Sequence, residues 1–335
     1  MINIRQETCL FPYNTFGVPA TASVFVESDN ASELVDFIRS LPDPSAFVLL
    51  GGGSNMLFVS ERCDMVIRPV MKGVEIINET NDYVSVRAAA GEVWDDFVNW
   101  CVERRYAGVE NLSHIPGTVG ACPIQNIGAY GAEAKDTIEA VEAIEIATGQ
   151  TVTFNKQQCL FDYRDSIFKR NKGKYIITYV LFKLSKKFVP NVKYSDLQLE
   201  LGSNVHVTIE NVRRAIINIR SRKLPEPTEL GNAGSFFKNP TINNEKADEL
   251  RQIDPQTPMY PVSDEYSKIS AAWLVQQSVG KGLREGNVGI HKQQSLVIVN
   301  YGGATGREIF DFARKISNSV KDKFDIELEM EVNIV

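Results

Sequence analysis

Residues 111–132 read NLSHIPGTVGACPIQNIGAYGA, and the rest of the chain is organised around them. No Asp, Glu, Lys or Arg falls in this stretch, although 23% of the chain is charged. Glycines at Gly117, Gly120, Gly128 and Gly131, with Pro116 and Pro123 among them, break any helical or strand pattern. The reading is a long uncharged loop that offers backbone N–H groups. Loops of this length inside a domain are functional or disordered, and the apolar Val119, Ala121, Ile124 and Ile127 argue against disorder. A purely structural glycine-rich connection is the plain alternative.

A second glycine stretch lies upstream. The apolar run 46–50 (AFVLL) leads into Gly51-Gly52-Gly53-Ser54-Asn55 and then Met56–Val59. No Lys-Ser/Thr pair and no helix follow, so this is neither a P-loop nor a GxGxxG dinucleotide turn. Three bared peptide groups followed by two short polar side chains form a nest that can hold a phosphate. An ordinary hairpin turn fits the same residues.

The chain has 335 residues, enough for two or three domains, and 43% of them are hydrophobic. A net charge of −6 argues against general nucleic-acid binding, which needs a basic face. No apolar run approaches the ~20 residues of a membrane helix, and MINIRQETCLFPYN lacks a signal-peptide layout. The cysteines Cys9, Cys63, Cys101, Cys122 and Cys159 are scattered, as are His114, His206 and His291. Their spacing supports no zinc site or disulfide framework, so we expect reduced thiols, a cytoplasmic setting and no metal.

Periodicity predicts strands at 24–27, 66–70, 83–90 and 175–184, and a hairpin over 140–154 turning at Thr148-Gly149-Gln150. It predicts a helix over 31–41 capped by Asp29 or Asn30. It also predicts an amphipathic helix over 92–105 with Val93, Trp94, Phe97, Val98, Cys101 and Val102 on its apolar side. A short helix is expected at 155–160. A helix over 208–223 should bury Ile209, Val212, Ile216 and Ile219 and turn its arginines outward. Pro225 and Pro227 mark a boundary, beyond which 231–240 reads as a loop. Thr305 and Glu308 form a capping box for a helix over 306–323. The end, IELEMEVNIV, alternates as a strand with Glu327, Glu329 and Glu331 on one face.

Three places carry polar groups that fold propensity leaves unexplained. Arg164, in Tyr163-Arg164-Asp165-Ser166, suits a carboxylate or phosphate, or else a surface pair with Asp165. Ser235, in GNAGSFFKNP (231–240), lacks the GxSxG of an acyl-transfer elbow, which leaves it as a proton donor or a substrate contact. The Glu327/Glu329/Glu331 row is a solvated face unless one member enters a cleft, where its pKa would rise.

In this order, LGGGSNMLF (50–58), IPGTVGACPIQNIGAYG (115–131), YRDSIFK (163–169), RKLPEP (222–227), GNAGSFFKNP (231–240), HKQQSLV (291–297) and LEMEV (328–332) resemble the UDP-N-acetylenolpyruvoylglucosamine reductase family. These are flavoenzymes of bacterial peptidoglycan synthesis. The resemblance implies an α+β FAD-binding fold of the vanillyl-alcohol-oxidase type. Its parts would be FAD subdomain 1 (1–72, joined by the strand 325–335), FAD subdomain 2 (73–222) and a substrate domain (223–324). It implies that Gly51, Gly52, Gly53, Ser54 and Asn55 cradle FAD, mainly at its pyrophosphate. Pro116, Gly117, Gly120, Ala121, Gln125, Asn126, Gly128, Ala129 and Tyr130 would hold the rest.

By the same resemblance NADPH is co-substrate, and flavin N5 delivers hydride to the enolpyruvyl ether of a UDP-sugar. Arg164 and Glu331 would stabilise the aci-carboxylate, and Ser235 would protonate the carbanion, polarised by Lys238 or a water. Tyr194, Lys223, Asn239 and Gln294 would bind substrate, Tyr194 marking the longer family type with a tyrosine loop. No nucleic-acid, membrane or obligate protein partner is implied. The sequence stops soon after Glu331, leaving nothing downstream to cover it. Cys122 takes a small-residue position in the flavin loop. Another flavoenzyme of the same fold would lack the Arg164–Ser235–Glu331 set. The reading as a flavin- or nucleotide-sugar-binding module without catalysis gains if Ser235→Ala leaves turnover intact.

Overall fold

A computed structural model describes residues 1–43, 46–202 and 206–335. The N-terminal part runs β1 (Ile2–Cys9), β2 (Thr21–Ser28), α1 (Ala31–Ser40), β3 (Val48–Leu49), β4 (Met56–Leu57), β5 (Arg62–Pro69), β6 (Val74–Glu79) and β7 (Tyr83–Ala89). Next come α2 (Trp94–Glu103), β8 (Gly128–Ala129), β9 (Ala132–Glu133), β10 (Ile138–Glu145), β11 (Gln150–Asn155), α3 (Ile167–Arg170), β12 (Tyr175–Ser185), α4 (Ser195–Leu201) and α5 (Ile209–Lys223). The rest comprises β13 (Gly231–Ser235), β14 (Thr241–Asn243), α6 (Asn244–Ile253), β15 (Met259–Pro261), β16 (Tyr266–Ile269), α7 (Ala271–Val279), β17 (Arg284–Glu285), β18 (Val288–Ile290), β19 (Val297–Asn300), α8 (Gly306–Phe324) and β20 (Asn333–Ile334). No helix among the described residues is long and apolar enough to cross a membrane.

The chain divides into two compact units. The first holds 1–9, 21–53 and 62–222. It contains a mixed sheet, β1-β2-β5-β3, in which β5 runs parallel to β2 and β3. It also contains an antiparallel sheet, β11-β10-β12-β7-β6. Asn30 caps α1, its Oδ1 accepting from Ser32 N (2.9 Å) and Glu33 N (3.1 Å), and Leu34 and Ile38 are fully buried. Trp94, Phe97 and Phe182 pack against one another under the second sheet, Phe97 and Phe182 with centroids 4.7 Å apart.

The second unit holds 10–20, 54–61 and 223–335. Its sheets are β13-β19-β18-β17, β14-β16-β15 and the parallel pair β20-β4. The capping box of Thr305 and Glu308 forms as expected at the start of α8.

Several expectations need correction. Asn155 ends β11 and residues 156–160 form turns, not the expected helix over 155–160: Asn155 N donates to Gln158 Oε1 and Gln158 N to Asn155 Oδ1, and this side-chain closure competes with helix. Val93 lies outside α2 in extended backbone and is exposed. Residues 231–235 are a strand, with a bulge at Gly234 (φ +70°) that lets the chain keep pairing with β19. Of the alternating C-terminal run, Asn333–Ile334 pairs as strand and Met330 makes a single antiparallel bridge to Phe237, while Ile326, Leu328 and Val332 are buried as the alternation requires. The edge strands β1 and β6 escaped the sequence reading.

Candidate active site

The glycine nest and the uncharged loop meet inside the first unit. A Cβ on Gly51 would lie 3.1 Å from Thr118 Oγ1, and one on Gly52 would lie 2.8 Å from Gly117 Cα. Only glycine lets the two backbones come this close. No backbone carbonyl among the described residues accepts from the N–H groups of Gly51, Gly52 or Gly53, and Gly53 is buried. Buried N–H groups without a protein acceptor need one from elsewhere. The residues therefore fit an anionic group such as the diphosphate of a dinucleotide. Ser54 and Asn55, next in sequence, belong to the second unit.

The start of α2 fixes the near end of the loop. Trp94 N donates to Gly117 O (3.1 Å), Val119 N to Glu92 O (2.9 Å) and Trp94 Nε1 to Leu112 O (2.8 Å). Asp95 takes His114 N at 2.5 Å and the forked guanidinium of Arg213 at 2.7 and 3.0 Å. Burial pushes the Asp95 carboxyl up, but Arg213 and the His114 N–H outweigh it and hold the carboxyl below its ordinary range. Arg213 is thus an inward residue of α5, with only 12% of its side chain exposed.

Not every expected cofactor residue of the loop has its side chain available to a ligand. Asn126 is buried, donates to Glu133 Oε2 and Asp162 O, and accepts from Lys135 N. Gly120 packs just beyond the end of β7, where a Cβ would sit 2.6 Å from that of Ala90. Cys122 is buried, and burial raises its thiol well above the ordinary value. Pro116, Ala121, Gln125, Gly128, Ala129 and Tyr130 line the same loop, the last three in or beside the small hairpin β8–β9.

Arg164 has the left-handed backbone of a strained turn, φ 53°. The surface pair with Asp165 does not form, because Asp165 pairs with Arg170 Nε at 2.7 Å. Arg164 instead reaches the loop, donating from Nη2 to Gly128 O at 2.7 Å, with its guanidinium 5.3 Å from the Tyr163 ring. Tyr194 stands edge-on to Tyr130, centroids 5.4 Å apart.

In the second unit Ser235 ends β13 beside Val297, ahead of the buried Phe236 and Phe237. Glu331 N donates to Phe236 O (2.8 Å), and its own carbonyl accepts from Asn55 Nδ2 (3.1 Å). Asn55 and the expected catalytic glutamate are thereby joined within the second unit. The sequence beyond Glu331 also anchors it: Asn333 N and Nδ2 both bond Asn55 O, and Val335 N donates to Leu57 O. Lys238 forms an ion pair with Glu329. Asn239 Oδ1 accepts from Ala271 N (2.9 Å) at the start of α7, Gln294 O accepts from Val297 N, and Lys223 ends α5.

Residues 22–155, which contain the nest and the whole uncharged loop, match a family model described as an FAD binding domain. The chain is therefore an FAD-dependent oxidoreductase. Residues 226–335 match the model described as UDP-N-acetylenolpyruvoylglucosamine reductase, C-terminal domain. Proteins of that name from Flavobacterium johnsoniae and Amoebophilus asiaticus are 43% and 45% identical, with all of each chain covered. The one from Neisseria gonorrhoeae is 44% identical over 98% of this chain and 97% of its own. The chain belongs to the UDP-N-acetylenolpyruvoylglucosamine reductase family. Its fold is that of the crystal structure of the reductase from Thermus caldophilus, with a TM-score of 0.71 at 23% identity over 100% of this chain and 99% of that one.

Proposed function

We propose that this chain reduces the enolpyruvyl ether of UDP-N-acetylglucosamine to UDP-N-acetylmuramate for peptidoglycan precursor synthesis, in the cytoplasm, with NADPH as electron donor. The observation that carries this reading is Arg164. Its neighbouring carboxylate is occupied by Arg170, and its guanidinium is aimed at Gly128 of the flavin loop. A fixed cation at a flavin suits a substrate that carries a carboxylate next to the carbon being reduced.

FAD, when bound, supplies the hydride. The chain's own residues handle the resulting charge and supply the proton. As the terminal carbon of the enol ether gains hydrogen, negative charge develops on the adjacent carbon and spreads into the carboxylate. Arg164 offers N–H donors to that carboxylate, and Glu331, protonated or sharing a proton, offers another. Ser235 Oγ gives the proton that completes the lactyl ether. Its polarisation falls to Lys238, whose ammonium keeps N–H donors beyond the one that pairs with Glu329, or to a water. Tyr194 and Lys223 bind the diphosphate, and Asn239 and Gln294 complete the substrate-binding set. Residues 1–72 with 325–335 and residues 73–222 act as two flavin subdomains, and 223–324 as the substrate domain.

The test is purification followed by absorbance in the flavin band and NADPH oxidation with the enolpyruvyl substrate. Ser235→Ala and Glu331→Gln should slow reoxidation of the flavin by substrate about 10²-fold or more, while reduction by NADPH stays intact. A colourless protein, or equal losses in both half-reactions, would overturn these roles.

A further inference from the structure

Two asparagines tie the segment carrying Tyr194 to the far end of the flavin loop. Asn111 opens that loop and is 1% exposed. Its Nδ2 donates to two carbonyls at once, Tyr130 O at 2.9 Å and Asn191 O at 2.8 Å. Two converging carbonyls fix which way the amide faces, and its Oδ1 is left buried with no partner among the described residues. An unmet buried acceptor is costly, so the two donor bonds are the physical reason for asparagine here.

Asn191 returns the contact. Its Nδ2 donates to Gly131 O at 2.9 Å. Gly131 is left-handed (φ +79°), and a Cβ there would lie 3.4 Å from the Asn191 amide nitrogen. The Tyr130 and Tyr194 rings meet edge-on beside this clamp, at an interplanar angle of 78°. Leu197 and Leu201 of α4 pack with Val212 and Ile216 of α5, and Tyr130 packs on the same cluster.

We propose that Asn111 and Asn191 are positioning residues that make the placement of Tyr194 depend on the flavin loop. The inference rests on the reading that 116–130 hold the flavin and that Tyr194 meets the substrate. Two of the three acceptors of the clamp are the carbonyls of Tyr130 and Gly131; the third is Asn191 O. A flavin that orders those two peptides presents both acceptors in place and so holds the Tyr194 segment. Coupling of this kind is reciprocal: a UDP-sugar that holds Tyr194 tightens the flavin in turn.

Lys193 lies two residues beyond Asn191 and is exposed, so trypsin reports on the segment directly. The experiment compares cleavage after Lys193 in the FAD-loaded protein and in protein stripped of FAD. FAD should slow the cut about tenfold, the effect of one hydrogen bond of ordinary strength. Asn191→Ala and Asn111→Ala should bind FAD one to one yet lose this protection. In both, the KM for the enolpyruvyl substrate should rise about tenfold while flavin reduction by NADPH is unchanged. If Asn111→Ala fails to fold, Asn191→Ala decides, since Asn191 is only partly buried. Equal cleavage of wild type with and without FAD overturns the proposal, as does full protection of Asn191→Ala. Tyr194→Phe separates the premise from the inference. An unchanged KM in that variant, with FAD protection intact, removes the substrate role of Tyr194 and leaves the coupling standing.

Discussion

Arg164 is turned away from the carboxylate next to it in sequence. Its neighbour Asp165 is taken by Arg170, and the left-handed turn at Arg164 points its fork at Gly128 O. A lysine carries the charge without the fork. Arg164→Lys should therefore retain flavin but reduce the enolpyruvyl substrate about 10²-fold more slowly. Single-turnover reoxidation of the reduced flavin measures this, and a near-normal rate would remove Arg164 from charge stabilisation. Gly52 makes the complementary point about space. Its missing Cβ would lie 2.8 Å from Gly117 Cα, a backbone atom with no freedom to rotate away. Gly52→Ala should fold and purify with well under one FAD per chain, as read from the flavin-to-protein absorbance ratio. Full occupancy would show that the two loops do not need this close approach to hold the cofactor.

Among the elements, α2 and α5 carry the loop between them through Asp95 and Arg213. Hydrogen bonds between charged groups contribute ~1.5–3 kcal/mol each in net terms, so Asp95→Asn should cost about 2–3 kcal/mol in denaturant unfolding. The pH dependence follows from the direction of the shift. The folded pKa of Asp95 lies below its ordinary value of 3.8, so its contribution is present above that value. It is lost as pH falls through the lower, folded value. Wild type should therefore lose stability relative to Asp95→Asn only in acid below about pH 4. A gap between the two that does not narrow there would contradict the pair.

This clamp was hard to read from the sequence. The arginines of α5 look like one polar face, and nothing local says which of them finds a carboxylate more than a hundred residues upstream. The apolar face of α5 was legible, because Ile209, Val212, Ile216 and Ile219 recur at helical spacing and are all buried. The two glycine-rich stretches that meet at Gly52 and Gly117 were legible because glycine, proline and the absence of charge are properties of composition. β1 and β6 were not. As edge strands they bury one face weakly or hardly at all, and the alternation that betrays a strand is faint in them. Glu331 stood out for its residue type and family motif, but its anchoring through Asn55 is a tertiary contact.

Taken whole, the second unit is assembled from three separated stretches of chain. Gly231 packs on Phe16 and Gly306 on Phe58, each so closely that a Cβ would strike a backbone carbonyl. Asn232 N donates to Thr15 O, and Asn300 Nδ2 to Phe16 O. A fragment of residues 223–335 expressed alone lacks all of these partners. It should show poor dispersion in its amide NMR spectrum, and adding residues 10–20 and 54–61 by a circularly permuted construction should restore it. A well-dispersed spectrum from the isolated fragment would show that the early segments are passengers.

The pairing of β4 with β20 also sets a clock. Met56 and Leu57 leave the ribosome about 280 residues before Asn333 and Ile334 can pair with them. At ~5–20 residues per second, that interval is on the order of tens of seconds. Leu10, Phe16, Val18, Leu57 and Phe58, all buried at the end, spend it without their final neighbours. The newborn chain thus carries a sticky, half-built surface for most of its synthesis, and its yield in a cell should depend on chaperone supply more steeply than its final stability suggests.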